Sequence, residues 1–473
     1  MSSEHCGFVV EVQNLRPHTN ADRLQIATFF RQDVCVSLDT KVGDIGVFFP
    51  CDTQLSLDFC LNNKLLRVLP DGTAGPGYMD PDKRNVKAIR LRGEKSSGVY
   101  LPISCLEYTG INVNDLKPGE HITTVNGVEV CKKYIPNRKG ATSAGGAGSR
   151  VKRRAKRSVA PTFFEHKDTE QLAYNAHEFK PGDEIEISLK IHGTSQRTAY
   201  VPVLQHDAYE TKSLIKGFLL KHMPQKFVDK YAEKWGEPIY EYDYISGTRR
   251  TVMDTFEGGF YGSNEFREQY HEFFKGKLWK GETVYYEVAG FTHTGQPIMA
   301  TVSNAGVNDK EFIKMYGKNT TFSYGCEPDG LPEKRSHIWV YRMTMTNPDG
   351  EVVEYTPDFM RYRCEQMFVD TVPVLWSGRV PDHPASKEDD TISAGDWVLN
   401  KAELFYDGPD LIDPRHVREG VVVRIINSPH FKAFKHKNHN FKVIEGIAKD
   451  VADAPDMEEA EAEYATESDV ASV

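Results

Sequence analysis

The chain has 473 residues, a hydrophobic fraction of 39% and a mean hydropathy of −0.51, values typical of a globular protein without membrane spans. No window reaches the roughly 18 apolar residues that a transmembrane helix needs, and the first residues show no secretory signal, so we expect no membrane partner and a cytoplasmic location. The eight cysteines never occur as CxxC, which argues against a zinc ribbon or a disulfide scaffold.

The net charge of −10 is distributed unevenly along the chain. Residues 132–157 contain ten Lys or Arg and no acid, residues 450–473 contain nine acids and no base, and the remainder carries −11. Residues 140–149, GATSAGGAGS, have the composition of a flexible linker. We therefore predict a basic flexible linker over 132–160, which tracks phosphates or acts as a nuclear-import signal, and an acidic disordered tail over 450–473.

Residues 1–131 show short apolar runs separated by Gly, Pro and Asp, such as GFVVEV, VCVSL and DIGVFFP. Runs of this length predict strands, and their number predicts a small all-β domain. The segment NLRPHTNADRLQIATF is similar to the opening of tRNA-binding-type OB modules. In the predicted strand VKAIRLRG, alternation places Arg90 and Arg92 on one face, where they would contact nucleic-acid phosphates or form an ordinary solvated face.

Residues 161–449 mix predicted helices and strands. Asp168 to Gln171 has the pattern of a capping box, and residues 213–235 show the apolar spacing of a helix. The strand-like runs are DEIEISLK, ETVYYEVAGF, HIWVYRMTM, EGVVVRII and FKAFKHK. Within KIHGTS, Lys190 ends a predicted strand and is followed by a Gly turn, which places an exposed amine beside backbone N–H groups, a geometry suited to attack on a phosphate.

The hexapeptide KIHGTS resembles the first motif of the covalent nucleotidyltransferases, the superfamily of ATP-dependent RNA and DNA ligases and mRNA capping enzymes. Further segments resemble the later motifs in the family's order: SGTRRTV (Ser246–Val252), YYEVAG (Tyr285–Gly290), IWVYR (Ile338–Arg342), REGVVVRI (Arg418–Ile425) and FKHKN (Phe434–Asn438). An OB-like module before the motifs is similar to the nick-sealing RNA ligases with an N-terminal OB domain. The resemblance implies an α+β fold, an OB-like β-barrel over 1–131 followed by a nucleotidyltransferase domain over 161–449 with antiparallel sheets and flanking helices.

The resemblance also implies a role for each motif. Lys190 would attack the α-phosphate of ATP to form lysyl-AMP, while Lys435 and Lys437 would hold that phosphate and assist catalysis. Glu419 would ligate Mg²⁺ or Mn²⁺, because a hard cation near phosphates prefers carboxylate oxygen. The residues expected to bind the nucleotide are His192, Gly193, Glu287 at the ribose, Tyr341 on the adenine with Trp339 as the alternative, Glu419, Lys435 and Lys437.

Some positions depart from the family pattern or leave a choice open. His192 stands where DNA ligases and capping enzymes commonly carry Asp, and many RNA ligases carry His there, which favours an RNA substrate. Arg342 stands where the family usually has an acid. One of two adjacent arginines, Arg249 or Arg250, would contact the nick phosphate, and the sequence does not choose between them.

These motifs predict an ATP-dependent RNA ligase that joins 3′-OH and 5′-phosphate ends, at nicks in duplex RNA and as a monomer. A DNA ligase or an mRNA capping guanylyltransferase is the alternative within the superfamily, although both usually carry their OB domain after the last motif. A non-catalytic OB-type RNA-binding protein is the alternative from another class. The presence of Lys190, Glu287, Glu419, Lys435 and Lys437 argues against that alternative.

Overall fold

The structure is a computed structural model, and it describes residues 5–135, 159–166, 169–210, 214–224, 237–249, 251–253, 256, 264–386 and 391–450. Most of the predicted basic linker, Arg250 and the predicted tail beyond residue 450 lie outside these residues. Among the helices within them, none has the length and apolarity needed to cross a membrane. All eight cysteines lie within the described ranges and are free thiols.

The N-terminal region consists mainly of short strands, as predicted. The strands are β1 (Gly7–Glu11), β2 (Leu15–Pro17), β3 (Leu24–Phe29), β4 (Gln32–Ser37), β5 (Ile45–Pro50), β6 (Thr53–Leu55), β7 (Ala88–Leu91), β8 (Glu94–Pro102), β9 (His121–Ile122), β10 (Thr124–Val125), β11 (Val128–Glu129) and β12 (Cys131–Lys133), and helix α1 (Leu57–Asn62) follows β6. Short 3₁₀ turns cover Ile103–Thr109 and Val113–Asp115.

Sheet 1 has the antiparallel order β7-β8-β5-β1-β9. Strands β2, β3 and β4 form a separate three-stranded antiparallel sheet in the same region. The central strand β5 shows why this region folds: alternate side chains of a strand point to opposite faces. Val47 and Phe49 enter one apolar cluster with Leu106, whereas Phe48 enters a second cluster with Phe8. A strand that is apolar on both faces therefore separates two cores.

The second region combines two larger sheets with helices. Its strands are β13 (Glu170–Gln171), β14 (Glu184–Leu189), β15 (Thr194–Glu210), β16 (Glu237–Gly247), β17 (Val252–Met253), β18 (Glu282–Gly290), β19 (Val302–Ser303), β20 (Asn319–Thr320), β21 (Ser336–Thr346), β22 (Val352–Glu354), β23 (Val374–Arg379), β24 (Gly420–Ile425) and β25 (Lys432–Lys437). Its helices are α2 (Leu214–His222), α3 (Glu265–Phe274), α4 (Lys310–Tyr316), α5 (Pro332–Arg335), α6 (Pro357–Met367), α7 (Ala394–Glu403) and α8 (His439–Asp450).

Sheet 2 has the order β13-β25-β24-β14-β23, and sheet 3 has the order β17-β16-β15-β18-β21-β22. On one face of sheet 2, Ile187, Val421 and Phe434 pack against Val398 of α7. One face of sheet 3 packs in the same way against α3 and α6. Each sheet thus has one face covered by helices, which leaves its other face available to build a site.

The predicted α+β class is confirmed, with antiparallel sheets and flanking helices in the second region. Of the helix predicted over 213–235, α2 covers Leu214–His222 and ends before Met223 and Pro224, while residues 213 and 225–235 lie outside the described ranges. Of the capping box predicted from Asp168 to Gln171, Asp168 lies outside the described residues, and the helical turn expected at Glu170 and Gln171 is wrong, because these two residues form β13 and pair in parallel with β25. Their backbone groups bond to the sheet rather than to a helical turn. The domain boundaries stay predictions.

Arg90 links the N-terminal region to the second region. Its guanidinium lies 3.1 Å from a carboxylate oxygen of Asp309, which precedes α4, and donates to Asn440 of α8 at 3.2 Å. Arg92 lies beyond the end of β7, in a turn with φ of 46°, and is exposed. The two arginines therefore do not form the common basic strand face that alternation predicted.

This difference between the two arginines can be measured. Arg90→Ala is expected to lower the free energy of unfolding by about 1–3 kcal/mol, because it leaves the half-buried Asp309 and Asn440 without their partner. Arg92→Ala is expected to change it by less than about 0.5 kcal/mol, as for an exposed side chain. Urea unfolding of both variants checks the expectation, and equal effects would contradict it.

Candidate active site

Lys190 lies where the chain crosses from sheet 2 to sheet 3. It follows β14, its backbone N–H donates to the Gly420 carbonyl at 3.1 Å, and β15 begins at Thr194. Between them, Gly193 packs so closely on β18 that a Cβ would lie 2.4 Å from the Val288 carbonyl oxygen. Only glycine fits this crossing without movement of the strand. The motif glycine thereby fixes the turn that presents the lysine.

Glu419 lies directly before β24 and its side chain is only 2% exposed. Oxygen Oε1 lies 2.9 Å from Nζ of Lys190 and 3.3 Å from Nζ of Lys437. Burial raises the pKa of Glu419, but the charges of Lys190 and Lys437 outweigh burial and hold it below the usual range. An ionised carboxylate therefore joins two lysines from the ends of β14 and β25.

The second oxygen of Glu419 indicates where a divalent cation would fit. Oε2 is buried and has no hydrogen-bond partner among the described residues, and Nδ1 of His192 lies 3.9 Å away, beyond hydrogen-bond distance. Burial lowers the pKa of His192 to about 4, although the Glu419 charge opposes the shift, so the imidazole is neutral. The buried carboxylate oxygen without a donor is a suitable ligand for Mg²⁺ or Mn²⁺, and the neutral imidazole beside it adds no positive charge that would repel the cation.

No group of three or more His, Cys, Asp or Glu side chains converges within the described ranges. In nucleotide enzymes Mg²⁺ is usually bound by one or two carboxylates, and water and substrate phosphates complete its coordination shell, so a larger cluster of protein ligands is not required. The residues present therefore fit a cation that is held jointly by Glu419 and a bound nucleotide.

Lys435 and Lys437 lie on β25, opposite Val422 and Gly420 of β24. Because residues two apart in a strand share a face, both side chains lie on the face of sheet 2 that the α7 cluster leaves free. Lys437 contacts Glu419, and Lys435, two residues before it on the same strand, is half-buried. The structure thus brings Lys190, Lys437 and Glu419 into contact and places Lys435 beside them.

Glu287 and Tyr341 lie on neighbouring strands of sheet 3. Glu287 pairs with Ser195 of β15 and with Trp339 of β21. A bulge shifts the register, since Tyr285 pairs with Arg342 but Tyr286 pairs with Val340, and it leaves Tyr341 between these pairs.

The bulge directs the Tyr341 side chain toward the site, where its hydroxyl lies 3.1 Å from Oγ of Ser195. Trp339, the alternative for adenine stacking, is 5% exposed and packs in a core cluster with Leu189. A core side chain offers less surface to a base than a half-buried one, so accessibility favours Tyr341 over Trp339.

Arg342, which departs from the family pattern, is buried beside this site. Its guanidinium makes a bidentate ion pair with Glu354, lies 4.6 Å from the ring centroid of Tyr285, and donates to Nδ1 of His166 at 3.2 Å. The His166 ring in turn lies 5.2 Å from the Tyr341 ring. The sequence indicated neither Glu354 nor His166 as a partner of Arg342. His166 in particular comes from a loop far from β21 in the sequence and belongs to no motif.

Tyr324 contacts the KIHGTS motif, although no sequence pattern indicated this residue. Its hydroxyl accepts a hydrogen bond from the backbone N–H of His192 at 2.7 Å. Burial raises the pKa of Tyr324 well above its usual range. Its φ of 47° lies in the left-handed region that disfavours an aromatic residue. Such strain persists where the surrounding structure holds it, here beside the Lys190 turn.

Arg249 lies just beyond β16, and its carbonyl accepts a hydrogen bond from the backbone N–H of His166 at 3.0 Å. It is therefore near the Tyr341 end of the site, whereas Arg250 lies outside the described residues. Contact of either arginine with a nick phosphate stays a prediction, as does a phosphate contact for Arg92. Arg90 is already engaged between the two regions.

Solved structures of an RNA ligase from Naegleria gruberi resemble this chain. A variant with ATP and Mn is 13% identical with a TM-score of 0.50, and the match covers 92% of this chain and 98% of that one. A different variant of that ligase with AMP and Mn, and the ligase with PPi, are each 14% identical to this chain with a TM-score of 0.50, and each match covers 92% of this chain and 97% of the other. No family model and no curated protein matches the sequence. At this identity the similarity shows that the chain shares the fold of these structures.

Proposed function

We propose that the protein is an ATP-dependent RNA ligase that joins 3′-OH and 5′-phosphate ends through an AMP-lysine intermediate on Lys190. The observation that carries the proposal is the contact of Lys190 and Lys437 with one oxygen of the buried Glu419, at the turn that joins sheets 2 and 3. The shared fold with the Naegleria gruberi RNA ligase supports it.

The chemistry consists of three transfers at phosphorus. Lys190 leaves Glu419 and loses a proton to solvent, and the free amine attacks the α-phosphorus of ATP. As the N–P bond forms, the nitrogen loses a second proton to solvent, and the bond from the α-phosphorus to the bridging oxygen breaks so that pyrophosphate leaves with the electron pair. A 5′-phosphate oxygen of the RNA then attacks the same phosphorus and breaks the N–P bond. Finally the 3′-oxygen attacks the activated 5′-phosphate and AMP leaves.

The other site residues have roles that follow from their positions. Lys437 and Lys435 supply positive charge to the α-phosphate as negative charge develops there. Glu287 accepts a hydrogen bond from the ribose, and Tyr341 stacks on the adenine. A divalent cation held by Glu419 Oε2, with His192 beside it, would withdraw negative charge from the phosphates.

The RNA is expected to be a nicked duplex, with the ligase acting as a monomer in the cytoplasm. The N-terminal β region would grip the duplex, because small β-barrels of the OB type present a strand face to nucleic acids. The basic residues of 132–157 would contribute phosphate contacts that weaken as salt rises.

The proposal is tested by incubating the protein with α-labelled ATP, Mg²⁺ and RNA duplexes that carry a 3′-OH/5′-phosphate nick. We expect a covalent protein–AMP adduct, its consumption when nicked RNA is added, and a joined strand. Substrates with RNA or DNA on the 3′-OH side separate RNA from DNA sealing, and adduct formation from GTP would indicate a capping enzyme. RNA binding without an adduct would support the non-catalytic alternative.

A further inference from the structure

Glu445 on α8 grips the lysine that the proposed function places at the α-phosphate. Both of its carboxylate oxygens lie 2.8 Å from Nζ of Lys437, and the two side chains are only 15% and 14% exposed. A bidentate pair with this little exposure restrains an otherwise flexible lysine in position and direction. Glu445 belongs to none of the sequence motifs.

The chain brings Glu445 back to Lys437 by a sharp reversal. β25 ends at Lys437, and the next residue, Asn438, caps α8 by accepting hydrogen bonds from the backbone N–H groups of Asn440 and Phe441 at 2.7 and 3.3 Å. About two helical turns after Asn438, Glu445 lies beside Lys437, the last residue of β25. Capping therefore fixes the direction of the helix and, with it, the carboxylate.

α8 is held on both sides. Phe441 and Ile444 pack in the apolar cluster that contains Leu189 and Ile191, the neighbours of Lys190. On the other side, Nδ1 of His439 lies 2.8 Å from Oγ of Ser97 in the N-terminal region. Because α8 is held by contacts on two sides, the position of the Glu445 carboxylate is restrained.

Charge explains why a second carboxylate is needed. Glu419 Oε1 contacts both Lys190 and Lys437, so without Glu445 one carboxylate would be shared by two ammonium groups. Lys190 must leave Glu419 to react, and Glu419 would then contact a divalent cation. Lys437 keeps its ion pair with Glu445 during these events, because Glu445 does not take part in them.

We propose that Glu445 is a positioning residue that holds Lys437 at the α-phosphate during formation and reversal of lysyl-AMP. This inference rests on the proposed function. In that step the Lys190 Nζ–P bond forms, the P–O bond to the leaving pyrophosphate breaks, and Lys437 neutralises charge on the transferred phosphate. Glu445 is not one of the groups that form or break bonds, and we infer that it acts through its ion pair with Lys437.

The test compares Glu445→Gln and Glu445→Asp with Glu178→Gln. Glu178 is the control because it pairs at 2.6 Å with Lys432, which lies at the opposite end of β25 from Lys437. Single-turnover transfer from α-labelled ATP is expected to fall about 10- to 100-fold at saturating ATP in Glu445→Gln, with KM for ATP changed less than about threefold. Glu445→Asp is expected to recover part of the loss, and Glu178→Gln to stay within about twofold of the wild-type rate.

A double-variant cycle separates positioning from a general structural effect. In a Lys437→Gln background, Glu445→Gln is expected to cause no further loss of rate, because the residue through which it acts is already absent. Pyrophosphate-driven formation of ATP from the adduct is expected to fall by the same factor as adduct formation, since both directions pass through one transition state.

A wild-type rate in Glu445→Gln, or losses that multiply in the double variant, would overturn the positioning proposal and leave the ligase proposal intact. Absence of any adduct with the wild-type protein would overturn both. A Glu445→Gln variant with normal thermal unfolding, the predicted loss of rate and no additivity would support the positioning of Lys437.

Discussion

Replacing Lys190 with alanine is expected to abolish the covalent transfer of AMP from α-labelled ATP, a loss of at least about 10⁴-fold. Lys190 supplies the nitrogen that bonds to phosphorus, and we expect neither neighbouring lysine to replace it. Lys437 is bound between Glu419 and Glu445, and Lys435 lies one step further along β25. The measurement is the amount of labelled protein after denaturing electrophoresis.

Lys190→Arg sharpens this result. Arginine keeps the positive charge beside Glu419 but stays protonated, so it cannot act as a nucleophile. We expect no adduct with Lys190→Arg, and a wild-type adduct with Lys432→Ala as the control on the same sheet. Sealing of RNA that already carries a 5′-AMP is expected to persist in Lys190→Arg, since the last transfer uses no lysine nucleophile. A labelled adduct in Lys190→Ala would contradict the assignment.

Replacing Glu419 with glutamine is expected to lower adduct formation by about 10²- to 10³-fold, the usual effect of removing one charged contact at a reacting phosphate. The amide is isosteric but neutral, so Lys190 and Lys437 lose their shared counter-charge. The orphaned oxygen Oε2 also loses its charge toward a cation. We therefore expect the Mg²⁺ concentration for half-maximal rate to rise together with the loss of rate.

Glu186→Gln provides the comparison for Glu419→Gln. Glu186 is also a buried carboxylate in sheet 2, paired with Arg361 at 2.8 Å, but it lies on β14 toward the end opposite Lys190. Its replacement is expected to affect thermal unfolding while leaving the Mg²⁺ requirement unchanged. An unchanged Mg²⁺ requirement in Glu419→Gln would argue that this carboxylate only pairs with the lysines.

The N-terminal region is connected to the site more closely than the sequence predicted. Alternation along β7 indicated a basic face for RNA, but Arg90 is committed to Asp309 and Asn440. Ser97 contacts His439 at the start of the helix that carries Glu445. A predicted RNA-gripping module therefore also braces α8, and this could be seen only after both regions were folded.

The sequence by itself determined the α+β class, through the resemblance of its motifs to a family, the strand that ends just before Lys190, and the placement of Lys435 and Lys437 on one strand face. The last two features are local, because spacing of two along a strand and a glycine in a turn act over a few residues. Only the tertiary structure decided that Glu419 joins Lys190 to Lys437, that Tyr341 is more accessible than Trp339, and that Arg342 pairs with Glu354. It also revealed Glu445, since contacts across sheets and helix ends depend on how the chain returns, which no local pattern encodes.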